Sequence, residues 1–347
     1  EASAAGLIGF GSPDDSMERF MYRKVFTSKV FDRKVVVITG GCAGIGRALA
    51  ERMAQAGARV VIFDLEQNAI DGLVQHLADH HNADVLGLCC DVSDAVAVQR
   101  AVALVVERFG GIDVLINNAG ITHRSRVADT SLAVFERIMA VNFYGALHCT
   151  QAALPSLVSR GGQIIVLSSL SQYAPVPDRG AYNASKHALH GLFETLRSEL
   201  ADTAVNVMLV CPGYTATDLR KNVLIGDGST APQPVLTVGR VASPQDVAES
   251  IYQGALKRRR LLVLSNLDWR ARLVARCAPS STCCYRGWQV RELRRARARR
   301  SARRRRAFAS TRRPSRQLRS CGHRDRGQNS RSRARHTLRV VPERLRR

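Results

Sequence analysis

The sequence predicts an α/β fold, a doubly wound parallel sheet, and three observations carry that prediction. Short, continuously apolar runs alternate with longer amphipathic stretches from Lys34 onward. A glycine-rich turn joins the first run to the first amphipathic stretch. Glycine and polar residues recur where later runs end. The runs are VVVITG (35–40), ARVVIFD (58–64), ADVLGLCCD (83–91), IDVLINNAG (112–120), GQIIVLSS (162–169) and VNVMLVCPG (205–213). Each is too short for a stable helix and too evenly apolar for a strand with one wet face, which is the pattern of a strand buried on both sides.

The stretches between the runs carry helical spacing. In 44–56, Ile45, Leu49, Met53 and Ala56 fall on one stripe, as do Val98, Val102 and Val105 ahead of Phe109. Parallel strands need long right-handed crossovers, and helices of this length supply them. In such a sheet ligands sit beyond the carboxyl ends of the strands, near the point where chain order reverses. Chemistry-bearing residues are therefore expected at the ends of the runs.

Thr39-Gly40-Gly41-Cys42-Ala43-Gly44-Ile45-Gly46 meets that expectation, because it follows the first run and opens a helix. Gly40 permits a tight turn, Gly44 lets backbone N–H groups approach a pyrophosphate, and Gly46 allows helix and strand to touch, with phosphates at the positive end of the helix. The doubly wound sheet is thus Rossmann-type. Taken alone, such a turn is also found where a strand simply meets a helix. The next run, however, ends in Asp64, eighteen residues past Gly46. That is near the spacing at which a carboxylate takes the adenosine ribose hydroxyls and repels a 2′-phosphate. Asp64 could otherwise serve as a solvated helix cap. Ala43 and Leu65 leave no Arg or Lys where a 2′-phosphate is commonly held, so NAD is expected ahead of NADP.

TGxxxGxG at 39–46, Asn117-Asn118-Ala119-Gly120 after one strand, Tyr182-Asn183-Ala184-Ser185-Lys186, and Pro212-Gly213 after another strand occur in this order. From about Arg33 to Ala255 the chain resembles the short-chain dehydrogenase/reductase family. The resemblance implies hydride transfer between NAD(H) and a secondary alcohol or ketone, with Tyr182 as general acid/base. It further implies that Lys186, one helical turn later, lowers the tyrosine's pKa and holds the nicotinamide ribose. That pairing makes physical sense, since a free tyrosine with a pKa of about 10 is a poor base near neutrality. Ser169, thirteen residues before Tyr182, matches the substrate-orienting serine better than Ser168 does and would make an oxyanion-type contact. Asn142, in MAVNFYG, resembles the helix asparagine that links the lysine through water to a proton relay.

By the same resemblance Thr39, Gly40, Gly44, Ile45, Gly46 and Asp64 meet the cofactor, as do Tyr182 and Lys186. Asp91 and Val92 lie beside the adenine, and Asn118, Ala119 and Gly120 along the adenosine-side ribose and sheet. Asn118 is equally readable as a brace between strands. Pro212, Gly213 and Thr217 lie near the nicotinamide carboxamide and phosphate. The substrate is set by 218–236 and by Gln172, Tyr173 and Pro175. The first of these mixes Gly, Pro and apolar residues in the manner of a mobile cover. A small lipophilic alcohol or ketone, steroid-like or fatty, is expected, and Arg220 and Lys221 are either solvated or turned to an anionic head group. A 3-oxoacyl reductase shares these motifs and would be marked by NADPH preference, against which Asp64 argues. A homo-oligomer is expected.

Composition divides the chain. The net charge is +23 over 347 residues, yet Lys257 to the last residue holds 31 Lys and Arg against 4 Asp and Glu, leaving 21 against 25 before it. A stretch such as RRARARRSARRRR cannot bury enough apolar surface to offset its chain entropy, so disorder is expected there. No Lys follows Lys257. That Arg-only texture fits GC-rich coding sequence translated out of frame better than a nucleic-acid or acidic-membrane arm. The expected organisation is an N-terminal extension (1–32), an oxidoreductase domain (33–269) and an Arg-rich tail (270–347). Arg260 to Trp269 resembles the family's last strand and turn, and Arg-rich sequence from about Ala275 stands where a further apolar helix is usual. Met17 or Met21 is a plausible native start. The rival reading of another class is a cofactor-sensing domain with a polyanion-binding tail. An idle scaffold is disfavoured because Tyr182, Lys186, Ser169 and Asn142 are all present.

Nine cysteines include no CxxC pair, so no zinc site is expected. The five in the body are expected to be small buried apolar groups in a reducing compartment, which favours the cytoplasm. His187 and His190 follow Lys186 without spaced acidic or Cys partners and are expected to face packing or solvent, so no metal is assigned. No stretch approaches the roughly 20 apolar residues that span a bilayer, and the N-terminus lacks the order of a secretory signal.

Overall fold

The computed structural model describes residues 30–173, 175–217, 223–230 and 241–264, all within one compact unit. The Arg-rich tail, Trp269, nearly all of the N-terminal extension, and Arg220 and Lys221 of the expected cover lie outside the described residues.

Seven strands form one sheet: β1 (Val35–Thr39), β2 (Arg59–Asp64), β3 (Val85–Cys89), β4 (Val114–Asn117), β5 (Gln163–Leu167), β6 (Asn206–Pro212) and β7 (Leu261–Leu264). Their spatial order is β3-β2-β1-β4-β5-β6-β7, and every neighbouring pair runs parallel. The helices are α1 (Gly44–Gln55), α2 (Gln67–His81), α3 (Ala95–Phe109), α4 (Leu132–Met139), α5 (Gly145–Arg160), α6 (Gly180–Glu199) and α7 (Pro244–Leu256). Chain order reverses between β1 and β4, so the crevice for a ligand opens beyond Thr39 and Asn117. The expected runs are longer than the strands. Cys90 and Asp91, and Asn118 to Gly120, extend past the ladder as loops.

Successive strand residues point to opposite faces, and β1 divides accordingly. Val36 and Ile38 join Leu49, Met53 and Tyr252 on one side of the sheet, while Val35 and Val37 join Val105, Leu157 and Phe193 on the other. Each large aliphatic buried this way contributes about 1.5–3 kcal/mol relative to exposure. The helical stripes behave as the spacing predicts: Leu49, Met53, Val98, Val102 and Val105 are all buried. Phe31 is also buried, its ring centroid 5.4 Å from that of Tyr252. The folded body therefore begins before Arg33, inside the expected extension.

Local chemistry fixes the helix ends. Asp94 caps α3 by accepting from the backbone of Val96 and Ala97, and Gly110 ends it in a left-handed conformation. Ser243 caps α7 ahead of Pro244. Between α4 and α5 the chain makes a π-turn, Ala140–Tyr144, which sets Asn142 inward at the kink. Cys90, Cys149 and Cys211 are buried as expected, whereas Cys89 is exposed because β3 is an edge strand. Among the described residues, no helix is long and apolar enough to cross a membrane, and no group of three His, Cys, Asp or Glu is placed to hold a metal ion.

Candidate active site

The glycine turn between β1 and α1 is a cradle with no room for side chains. Gly40 adopts φ +63°, and a Cβ there would lie 3.0 Å from the Cα of Ala119. A Cβ on Gly46 would lie 2.0 Å from the Gly40 carbonyl oxygen. The residue before α1, Ala43, supplies no side-chain cap, so the first N–H groups of the helix and its positive end face the cradle. Thr217 closes the cradle from the Pro212-Gly213 side, since a Cβ on Gly44 would meet its Cγ2 at 3.0 Å. Ile45 packs against the core behind the turn.

Three polar side chains brace this cradle. Asp64, at the end of β2, accepts from the Cys42 and Leu65 backbone N–H groups, both at 2.8 Å. The Thr39 hydroxyl oxygen accepts from the N–H groups of Asn118 and Ala119, both at 3.0 Å. Asn118 Nδ2 donates to the carbonyls of Thr39 and Gly40, both at 2.9 Å. The alternative of Asn118 as a brace thus has a definite geometry. Asp91 lies exposed beyond β3 and accepts from Ser93, while Val92 is buried beside Gly145. Gly213 donates its N–H to Leu264 at 3.0 Å, tying the end of β6 to β7.

Tyr182 and Lys186 stand in the first half of α6, over the ends of β4 and β5. Ser169 lies beside Tyr182, and its Oγ accepts from the Ser171 N–H at 3.1 Å. Lys186 is buried, and its Nζ donates to the Leu167 carbonyl at 2.7 Å. Burial lowers its pKa to about 8. Burial raises the Tyr182 pKa, and the neighbouring Ser169 hydroxyl and the charge of Arg179 oppose that rise. The Arg179 Cζ lies 5.9 Å from the Tyr182 ring centroid. Lys186 Nζ, which donates to the Leu167 carbonyl, lies 5.8 Å from the same centroid, so two cations stand beside the ring.

Asn142 acts on backbone. Its Oδ1 accepts from Ile121 N at 2.8 Å, and its Nδ2 donates to Ile121 O and Ser185 Oγ, both at 3.0 Å. The π-turn thereby clamps the chain after Gly120 to α6, one residue from Lys186. Gly120 leaves the space between them open, as a Cβ there would lie 3.3 Å from Asn142 Oδ1 and 3.6 Å from Lys186 Nζ.

Sequence reasoning missed three participants. Arg179 lies three residues before Tyr182, and that adjacency was the available signal. Ser168, set aside in favour of Ser169, donates to the Lys186 carbonyl at 3.2 Å and pairs with His190 Nε2 at 3.0 Å. His190 is partly buried, and burial lowers its pKa to about 4. His187 faces solvent, as expected.

Residues 34–226 match the family model described as short chain dehydrogenase. The chain belongs to the short-chain dehydrogenase/reductase family. Its relatives are NAD(P)-dependent oxidoreductases acting on CH–OH groups. This short-chain dehydrogenase/reductase is 35% identical over 240 residues to "Dehydrogenase/reductase SDR family member 7B" of Danio rerio, covering 67% of this chain and 78% of the relative. It is 36% identical over 241 residues to "Dehydrogenase/reductase SDR family protein 7-like" of Drosophila melanogaster, covering 68% and 73%. Among solved structures, it resembles a short-chain dehydrogenase/reductase of Burkholderia phymatum in complex with NAD (TM-score 0.61, 27% identity, covering 74% and 92%). It also resembles an alcohol dehydrogenase of Thermococcus sibiricus complexed with 5-hydroxy-NADP (TM-score 0.59, 27% identity, covering 67% and 97%).

Proposed function

We propose that residues 33–269 form the oxidoreductase domain, with Phe31 packed into its core, and that it transfers a hydride between NAD(H) and a secondary alcohol or ketone, with Tyr182 as the proton donor and acceptor. The observation that carries this reading is the grouping of Ser169, Tyr182 and Lys186 at the end of β5, with Lys186 Nζ 5.8 Å from the Tyr182 ring centroid, beside a cradle whose glycines exclude side chains. A dinucleotide fits that cradle because backbone N–H groups and a helix N-terminus face it. Thr39 to Gly46 would hold the pyrophosphate, and Asp64 the adenosine ribose. The nicotinamide, when bound, supplies or takes the hydride. Tyr182 gives its phenolic proton to the carbonyl oxygen, or takes one from the alcohol, and Ser169 donates a hydrogen bond to that same oxygen. Burial keeps Tyr182 protonated near neutrality, which suits the donor role in ketone reduction. Lys186 holds a positive charge at the end of β5, and Asn142 fixes the two segments between which it lies.

Preference for NAD over NADP rests on Asp64. Two backbone N–H groups pin its carboxylate at the end of β2, so it cannot turn away from a 2′-phosphate. The test is a fluorescence titration of the full chain with NADH and NADPH, with Tyr182→Phe assayed on a panel of alcohols and ketones. NADH is expected to bind at least about 10-fold more tightly, the equivalent of about 1.4 kcal/mol. Tyr182→Phe is expected to lower kcat by about 1000-fold and leave NADH binding intact. Equal or tighter NADPH binding would overturn the cofactor assignment, and retained turnover would overturn the role of Tyr182.

A further inference from the structure

Arg179 is partly buried, and among the described residues it forms no hydrogen bond through its guanidinium and no ion pair. The other partly buried arginines are engaged: Arg52 with Glu249, Arg59 with Asp84, Arg197 with Glu194, and Arg124 likewise has a partner. Removing a cation from water without giving it an anion is costly. The backbone nevertheless holds Arg179 in place. It pairs as an isolated bridge with Ser125, the Ser125 N–H donates to Asp178 at 3.0 Å, and the Asn183 N–H donates to the Arg179 carbonyl at 2.8 Å. The guanidinium is thereby kept 5.9 Å from the Tyr182 ring centroid.

A second, independent observation lies on the segment bridged to it. His123 is fully buried, at 0% exposure, and neither ring nitrogen has a hydrogen-bond partner. His123 and Ser125 are two residues apart on an extended segment, so their side chains leave the same face, and bridged partners such as Ser125 and Arg179 share a face as well. His123 is close enough to Arg179 for that charge to oppose its protonation. A neutral imidazole still carries one N–H to donate. An unpaired guanidinium and a buried, unpartnered imidazole together offer what a carboxylate or phosphate needs, which is charge and several donors from one side.

We propose that Arg179 and His123 form an anion-recognising subsite beside Tyr182, so that the preferred substrate carries a carboxylate or phosphate a few bonds from the carbon that exchanges the hydride. This rests on the oxidoreductase reading given above and names its substrate class. The short distance between guanidinium and ring limits the link to a few carbon–carbon bonds of about 1.5 Å each.

The experiment uses the full chain and three ketones that share one short carbon chain and differ only at its end: a carboxylate, a phosphate monoester and a methyl ester. The wild type is expected to show a kcat/KM at least about 10-fold higher for one or both anions than for the ester. Whichever anion leads identifies the headgroup. Arg179→Gln is expected to bring that ratio near one, Arg179→Lys to retain part of it, and His123→Phe to lower it a few-fold. The ratio cancels any common loss through Tyr182, and NADH binding by each variant reports that it folds. A wild-type ratio near one, or a ratio that Arg179→Gln leaves unchanged, overturns the subsite. If no ketone is turned over, the oxidoreductase reading fails instead. The subsite is then decided by calorimetric titration with inorganic phosphate and with the keto acid: saturable binding lost in Arg179→Gln sustains it, and no binding overturns it.

Discussion

The cradle beyond β1 and the flank beside Tyr182 treat their polar atoms in opposite ways. In the cradle, Thr39 accepts two backbone N–H groups, Asp64 accepts two more, and Asn118 donates to two carbonyls. On the flank, the hydroxyls of Thr122 and Ser171 and both nitrogens of His123 are buried without partners. A saturated network fixes its own shape, so the cradle is complete as the chain folds. An unbonded buried hydroxyl costs about 1–3 kcal/mol. A fold that leaves such groups unbonded gives up stability at each of them, and functional sites are among the places where folds do so.

The largest expected effect breaks the cradle. In Gly46→Ala the new methyl would sit 2.0 Å from the Gly40 carbonyl oxygen, a backbone atom that no side-chain rotation can move aside. The turn must open, and NADH affinity is expected to fall by about 100-fold or more, close to 2.7 kcal/mol. Titration at near-wild-type affinity would show that the turn yields easily and that the cradle is not rigid. Asn118→Ala comes next, because it strips the donor from two carbonyls at once. About 2 kcal/mol of stability should be lost in urea unfolding. NADH affinity should fall with it, since Gly40 loses its anchor. A stable variant with weakened NADH binding would instead make Asn118 a direct cofactor contact.

How much of this was legible in the sequence follows from the same contrast. The strands and the cradle are local: apolar runs, a glycine turn and an acid at a fixed distance specify them within about thirty residues, as motif rules anticipate. Tyr182, Lys186 and Ser169 were proposed from the resemblance to a family motif, and the fold puts Tyr182 and Lys186 in one helix with Ser169 just past a strand end. Arg179 and His123 were not, since their partnership depends on an isolated bridge between segments more than fifty residues apart in sequence. Nor was the bracing work of Asn142, because nothing before the fold says which backbone a helix kink will meet. His190 escaped for a further reason. A histidine one turn after Lys186 looks like packing, and only the end of β5 reveals that it bonds Ser168.

His190 also marks the border between the two regions, and its titration gives the next effect in size. Burial holds its pKa at about 4, below the ordinary 6.5. Glu194 favours the charged form, while His187, Arg197 and Lys186 oppose it. Between those values the folded protein binds fewer protons than the unfolded chain. Its contribution is thus intact above about pH 6.5 and is lost as the pH falls toward 4. Discounted for partial exposure, the change is about 1–2 kcal/mol. Urea unfolding between pH 7 and 4.5 should show this slope in the wild type and not in His190→Gln, which keeps a polar group toward Ser168. Equal slopes would mean that His190 is solvated and does not staple α6 to β5.

The smallest effect sharpens the contrast most, because its sign is the reverse of Asn118→Ala. Thr122 is 2% exposed, and its hydroxyl has no partner. Thr122→Val keeps the shape and removes the unbonded group, so stability is expected to hold or to rise by about 1 kcal/mol. A loss of more than about 1 kcal/mol would mean that the hydroxyl is satisfied after all and that the flank is braced like the cradle. A gain in stability accompanied by a lower kcat/KM would place the hydroxyl on the substrate. A gain with turnover unchanged would narrow the functional part of the flank to Arg179 and His123.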